Sequence, residues 1–68
     1  MIEQLVSFFG ANGHRHADIL FVASCIMAPY VVDFFKESDL FKTEFYATEE
    51  EAESAAMKYA FGDEQTNA

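Results

Sequence analysis

The chain has 68 residues, 51% of them hydrophobic and 16% aromatic, with twelve acidic and four basic side chains and a formal net charge of −8. That length allows one domain whose core seldom stabilises a fold alone, and the single cysteine, Cys25, excludes an intrachain disulfide and any zinc-ribbon or zinc-finger spacing. The acidic balance speaks against direct binding to nucleic acid or to an anionic membrane surface, both of which are held by clustered Lys and Arg.

Ile2, Leu5, Val6 and Phe9 recur at helical spacing, with Gly10 placed to end a first helix and Ala11-Asn12-Gly13 as a tight connection. A second helix is expected over 14–37. Asp18 lies near its start and Lys36 near its end, each of the sign the helix dipole favours. Pro29 removes one backbone donor inside this segment, so that either one long helix kinks or two shorter helices meet near Ala28.

Residues 19–35 contain one charged side chain, Asp33. A helix apolar all round must be central to a structure. A chain this short cannot cover it, so self-association is expected. The dimer interface is assigned to Leu20, Val22, Ala23, Ile26, Met27 and Tyr30, where the small residues Ala23, Ser24 and Ala28 let another helix approach. A membrane span is not expected. The run falls short of the roughly 20 apolar residues required, holds Asp33 and Pro29, and lacks a flanking basic cluster. Met1-Ile2-Glu3-Gln4 has no basic n-region, so no cleaved signal is expected, and the absence of disulfides points to the cytoplasm.

Ser38-Asp39 suits the cap of a further turn. Phe41, Thr43 and Phe45 alternate with Lys42, Glu44 and Tyr46 as in a strand, yet Phe41 and Phe45 also form a helical i,i+4 pair. If extended, 41–46 has no evident strand partner except its own copy. Thr48-Glu49-Glu50-Glu51 fits a capping box that opens a last helix. Its apolar face is Ala52, Ala55, Ala56 and Tyr59, widened by Met57 and Phe61, and Gly62 is placed as its stop. The fold class expected is mostly α: a three-helix domain over 1–62, with a kinked apolar central helix, dimeric, and a flexible polar tail over 63–68.

Catalytic constellations are weak. His14 and Asp18 share a helix face but two ligands are too few to close a metal shell, His16 lies off that face, and Cys25 would lie about 13 Å beyond His16 along a helix. Cys25 in an apolar run lacks the positive surroundings that make a thiolate. The carboxylates of Glu49 to Glu53 sit at an exposed helix start, solvated and poorly tuned for acid–base work. No glycine-rich phosphate loop or nucleophile elbow is present. No enzyme activity, metal or cofactor is expected.

The function expected is protein–protein interaction: a small acidic homodimer that binds and inhibits a larger protein with a basic surface. The analogy, by size and charge alone, is to inhibitors carried by phages and mobile elements. The partner-binding residues are assigned as Glu37, Asp39, Glu44, Glu49, Glu50 and Glu53, with Phe41, Phe45 and Tyr46. The alternative is a structural or scaffold subunit of a homo-oligomer.

Overall fold

The computed structural model describes residues 2–10 and 13–65, with the side chains of 63–65 left aside. The connection at Ala11-Asn12 and the tail at 66–68 lie outside the described residues. The chain forms four strands and one helix: β1 (Ile2–Phe9), β2 (Arg15–Val22), β3 (Tyr30–Lys36), β4 (Asp39–Tyr46) and α1 (Glu49–Gln65). The strands make one antiparallel sheet in the order β1-β2-β3-β4, and α1 packs across one face.

This overturns the three-helix, mostly α expectation. The first expected helix is β1, and the kinked central helix is the β2–β3 hairpin. The physical reason lies in the side chains. Ile19, Val22, Val31, Val32, Phe34 and Phe35 are β-branched or aromatic and favour a pleated surface. Over 19–22 and 30–32 the residues turned away from the helix, Leu20, Val22 and Val31, are apolar like those turned toward it, and this hides the two-residue period there. Pro29 is not a kink but a boundary. Its carbonyl accepts from Val22 N at 2.8 Å, but it has no N–H to return, and the ladder begins at Tyr30. Residues 41–46 are extended within β4, and they pair with β3 of the same chain rather than with a second copy.

The expected cap at Ser38-Asp39 is instead a hairpin. Glu37 and Ser38 both take positive φ, 53° and 74°, between the paired Lys36 and Asp39. Two left-handed residues in a two-residue loop make the turn whose twist matches the strands it joins. Each edge strand carries one irregularity, between Gln4 and Val6 in β1 and opposite Phe34–Phe35 in β4. Bulges at edges hinder pairing with another chain.

The core between sheet and helix is thin. Ala17, Ile19, Val32 and Phe34 meet Ala52 and Ala56, with Val6, Phe8, Tyr30, Tyr46, Ala55 and Tyr59 around them. Ala52, Ala56 and Ala60 recur every four residues on the buried side of α1, and side chains this small let the helix lie close to the sheet. Ile19 and Val32 are the large side chains sealed completely. Each contributes about 1.5–3 kcal/mol through burial.

Helix α1 starts where the capping box places it. Thr48 Oγ1 accepts from Glu51 N at 3.2 Å, and the hydroxyl donates to Glu51 Oε1 at 3.3 Å. The helix runs past Gly62 to Gln65, so Gly62 is not its stop. No helix among the described residues is long and apolar enough to cross a membrane.

Candidate interaction surface

The Cα envelope measures 38 × 23 × 16 Å. The 16 Å dimension accommodates one sheet and one helix, and no described element covers the sheet face opposite α1. Strand alternation decides what that open face presents. With Ala17, Ile19, Val32 and Phe34 turned to the helix, the register lines up three rows on the other side. One row is Gln4, Leu20, Val31 and Phe45; the next is Ser7, Asp18, Asp33 and Thr43; the third is Phe9, His16, Phe35 and Leu40.

The third row is a stack. His16 lies between Phe9 and Phe35, with ring centroids 5.0 and 4.3 Å away and planes 22° and 6° from parallel. Phe9 and Leu40 at its ends are 60% and 54% exposed. In the first row Phe45 is 56% exposed and lies opposite Val31, which is buried although it faces away from the helix. Between the two apolar rows lie two carboxylates in directly opposed register, Asp18 and Asp33. Like charges placed this way repel. Each is held from its outer side by a hydroxyl. Ser7 donates to Asp18 Oδ1 at 2.8 Å and Thr43 to Asp33 Oδ1 at 2.9 Å. Gln4 Nε2 donates to Ser7 Oγ at 2.8 Å and extends the chain. Among the described residues neither carboxylate has an ion pair.

The basic residues are elsewhere. Arg15, Lys36 and Lys42 alternate onto the helix side of their strands, and Lys58 is on α1. The open face therefore combines apolar rows with a central negative pair and no Lys or Arg.

The residues expected to bind a partner are not gathered in one place. Glu37 and Asp39 lie at the β3–β4 turn, whereas Glu49, Glu50 and Glu53 belong to the first turns of α1. The length of β4, roughly 23 Å of strand, separates these two groups. Glu44 is on the helix side of β4, next to Tyr46, whose hydroxyl donates to it. That hydrogen bond, aided by Lys42 Nζ 3.6 Å away, holds the Glu44 carboxyl below its usual range. Burial, then the bond and the charge of Glu44, push the Tyr46 phenol up to about 12. Phe41 leans on Tyr59 at 5.5 Å, so of the three expected aromatics Phe45 alone belongs to the open face.

The expected dimer residues also separate. Leu20 faces the open side, and Tyr30 faces the helix. Ala23, Ile26 and Met27 lie in the loop between β2 and β3, where Ile26 and Met27 are 87% and 89% exposed. Cys25 is half-buried in the same loop. His14 contacts Glu37 through Nδ1 at 2.9 Å across the β2–β3 end. Among the described residues, no three His, Cys, Asp or Glu side chains converge in a metal-holding arrangement.

Phe9, His16, Asp18, Asp33, Phe35 and Leu40 were missed as surface residues. A signal for them exists in the alternation of His16, Asp18 and Leu20 with Ala17, Ile19 and Phe21, which emerges once a two-residue period is applied. Comparison with protein-family models, with curated proteins and with solved structures gives no match to this chain.

Proposed function

We propose that this chain is a protein-interaction module that docks through the open face of its sheet and inhibits the larger protein it covers. The observation that carries the reading is the uncovered pair of apolar rows on either side of Asp18 and Asp33. Among the described residues Phe9, Leu40 and Phe45 are the large hydrophobic side chains of these rows that are more than half exposed. Exposed apolar side chains grouped on one face mark a docking site.

The central carboxylates select the occupant. A second copy laid face to face about a twofold axis through the middle of the sheet would bring four carboxylates together. A partner that inserts an Arg or Lys between its own apolar side chains would instead satisfy the pair and bury both rows. The net charge of −8 adds long-range attraction to such a basic surface. Inhibition follows where the covered surface is the one the partner needs for an anionic ligand of its own. The unpaired Cys25 fits a reducing compartment such as the cytoplasm.

Binding should be lost in Phe9→Ser and Phe45→Ser, both exposed open-face positions, with circular dichroism unchanged. Met57→Ser and Ile26→Ser, also exposed but off this face, should bind as the parent does. A structural homo-oligomer would read differently in light scattering after gel filtration. The parent would run as a dimer or larger, Phe45→Ser would restore the monomer mass, and no heterologous partner would compete. That outcome would replace the reading with the scaffold alternative.

A further inference from the structure

The open face has a period that an occupant must match. Along β2 it presents His16, Asp18 and Leu20, and along β3 it presents Phe35, Asp33 and Val31. The three rows therefore follow one another in two-residue steps of about 6.6–6.8 Å. The outer rows carry the exposed Phe9, Leu40 and Phe45, and the half-buried carboxylates lie between them.

Each carboxylate is engaged through one oxygen. Asp18 Oδ1 accepts from Ser7 and Asp33 Oδ1 from Thr43, whereas Oδ2 of either accepts no hydrogen bond among the described residues. These remaining oxygens are open to water in the free chain. The two residues are directly opposed, one strand spacing or about 5 Å apart. A wholly apolar occupant would remove the water and leave two like charges in dry surroundings, which is strongly disfavoured. A second copy of this chain brings no cation to the face, because Arg15, Lys36 and Lys42 lie on the helix side of their strands and Lys58 lies on α1.

We infer that the occupant is an extended segment of the partner that presents an arginine with an apolar residue two positions before it and another two positions after it. This rests on the docking reading above and specifies the partner's chemistry. An extended chain turns every second side chain to one face at the same step as the three rows, so the arginine meets the carboxylates while its neighbours meet the outer rows. Same-face residues of a helix are about 4.5 or 6 Å apart along its axis and fall out of step with the rows. Arginine fits the middle row better than lysine. Its planar fork carries five donors and reaches two opposed carboxylates at once, and it is the more weakly hydrated cation. A lysine ammonium gives up a stronger hydration shell on burial.

The test is a titration of the ¹⁵N-labelled chain with a cyclic β-hairpin peptide that shows leucine, arginine and leucine at alternate positions of one strand. Saturable shifts at the amides of Asp18, Leu20, Val31 and Asp33 are expected. Replacing the arginine by citrulline, its neutral isostere, should weaken binding at least about tenfold, and replacing it by lysine at least about threefold. Asp18→Asn and Asp33→Asn should each weaken the arginine peptide at least about fivefold and leave the citrulline peptide unchanged. Both keep an oxygen for the Ser7 or Thr43 hydroxyl and remove the like-charge repulsion, so their thermal midpoints should not fall. Glu3→Gln makes the same change in net charge on the helix side, opposite Phe21, and should stay within about twofold of the parent. Citrulline or lysine binding as tightly as arginine, equal weakening by Glu3→Gln, or no saturable shift at these amides would each overturn the arginine assignment. An isomer with its leucines next to the arginine that binds as tightly would overturn the extended geometry. The docking reading is decided separately: it stands if Phe9→Ser and Phe45→Ser abolish partner binding while Asp18→Asn and Asp33→Asn do not, and that pattern also overturns the arginine assignment.

Discussion

Gly10 meets the carbonyl of Ala60 at the crossing of the β1–β2 connection and α1: a Cβ built on Gly10 would lie 2.6 Å from Ala60 O. Gly10 N also donates to Arg15 O at 3.0 Å, which closes the connection on itself. The obstacle is backbone on both sides, so neither partner swings away. Gly10→Ala should destabilise by about 1–3 kcal/mol, as overpacking does. Gly62→Ala, in a helix interior with open space around it, should stabilise by up to about 1 kcal/mol. Thermal midpoints of the two variants should move in opposite directions; a shared direction would contradict the close approach of helix and loop.

Thr48→Ala removes the acceptor of the Glu51 amide and should cost about 1 kcal/mol. In a domain of this size that is a fall of roughly 4–8 °C in Tm. Glu51→Ala keeps the bond to the amide and should cost less. Midpoints unmoved by Thr48→Ala would place the start of α1 elsewhere.

The β3–β4 turn holds two non-glycine residues at positive φ. Ser38→Gly should relieve the steric cost of that conformation and stabilise by about 0.5–1 kcal/mol in urea unfolding, with an unchanged slope. Glu37 is the poorer place to substitute, because it also faces His14. A destabilised Ser38→Gly would show that the turn is not left-handed at that residue.

Burial separates two positions in the apolar stretch that the sequence treats alike. Ile19→Ala should cost about 2–5 kcal/mol because its side chain is fully enclosed. Ile26→Asp should change stability by no more than about 0.5 kcal/mol, since Ile26 is 87% exposed in a loop. The central-helix expectation gave Ile26 a buried position, and the β2–β3 hairpin removes it. Chemical unfolding of both variants measures the contrast.

The Tyr46–Glu44 pair sets a signature at each end of the pH scale. The Tyr46 pKa is raised in the folded chain to about 12 from an ordinary 10, so the stability it confers is complete below about pH 10 and is lost between 10 and 12. The near-ultraviolet phenolate titration should contain a component near 12 that Tyr46→Phe abolishes. Glu44 is shifted the other way. Its contribution is present above its ordinary 4.5 and is lost as pH falls through the lowered value. Glu44→Gln should move the Tyr46 titration down; an unmoved titration would mean that the hydrogen bond does not form in solution.

What the sequence by itself determined is local or compositional. Thr48 followed three residues later by Glu51 marks a helix start through chain chemistry confined to one turn, and α1 begins there. The excess of apolar side chains over what a short chain encloses was likewise legible, and it survives in the structure as the open face. The candidate surface was legible in part through Phe45, whereas its carboxylates and the Phe9–His16–Phe35 stack were not. The tertiary structure decided that residues 19–35 form two strands. An apolar run without a visible period reads equally as a buried helix or as central strands. A strand satisfies its backbone hydrogen bonds through neighbours distant in sequence, and neither Asp18 nor Ile19 announces that Asp33 and Val32 will lie opposite. The same pairing decided which side of the sheet each residue takes, because shifting the register by one position exchanges the two faces.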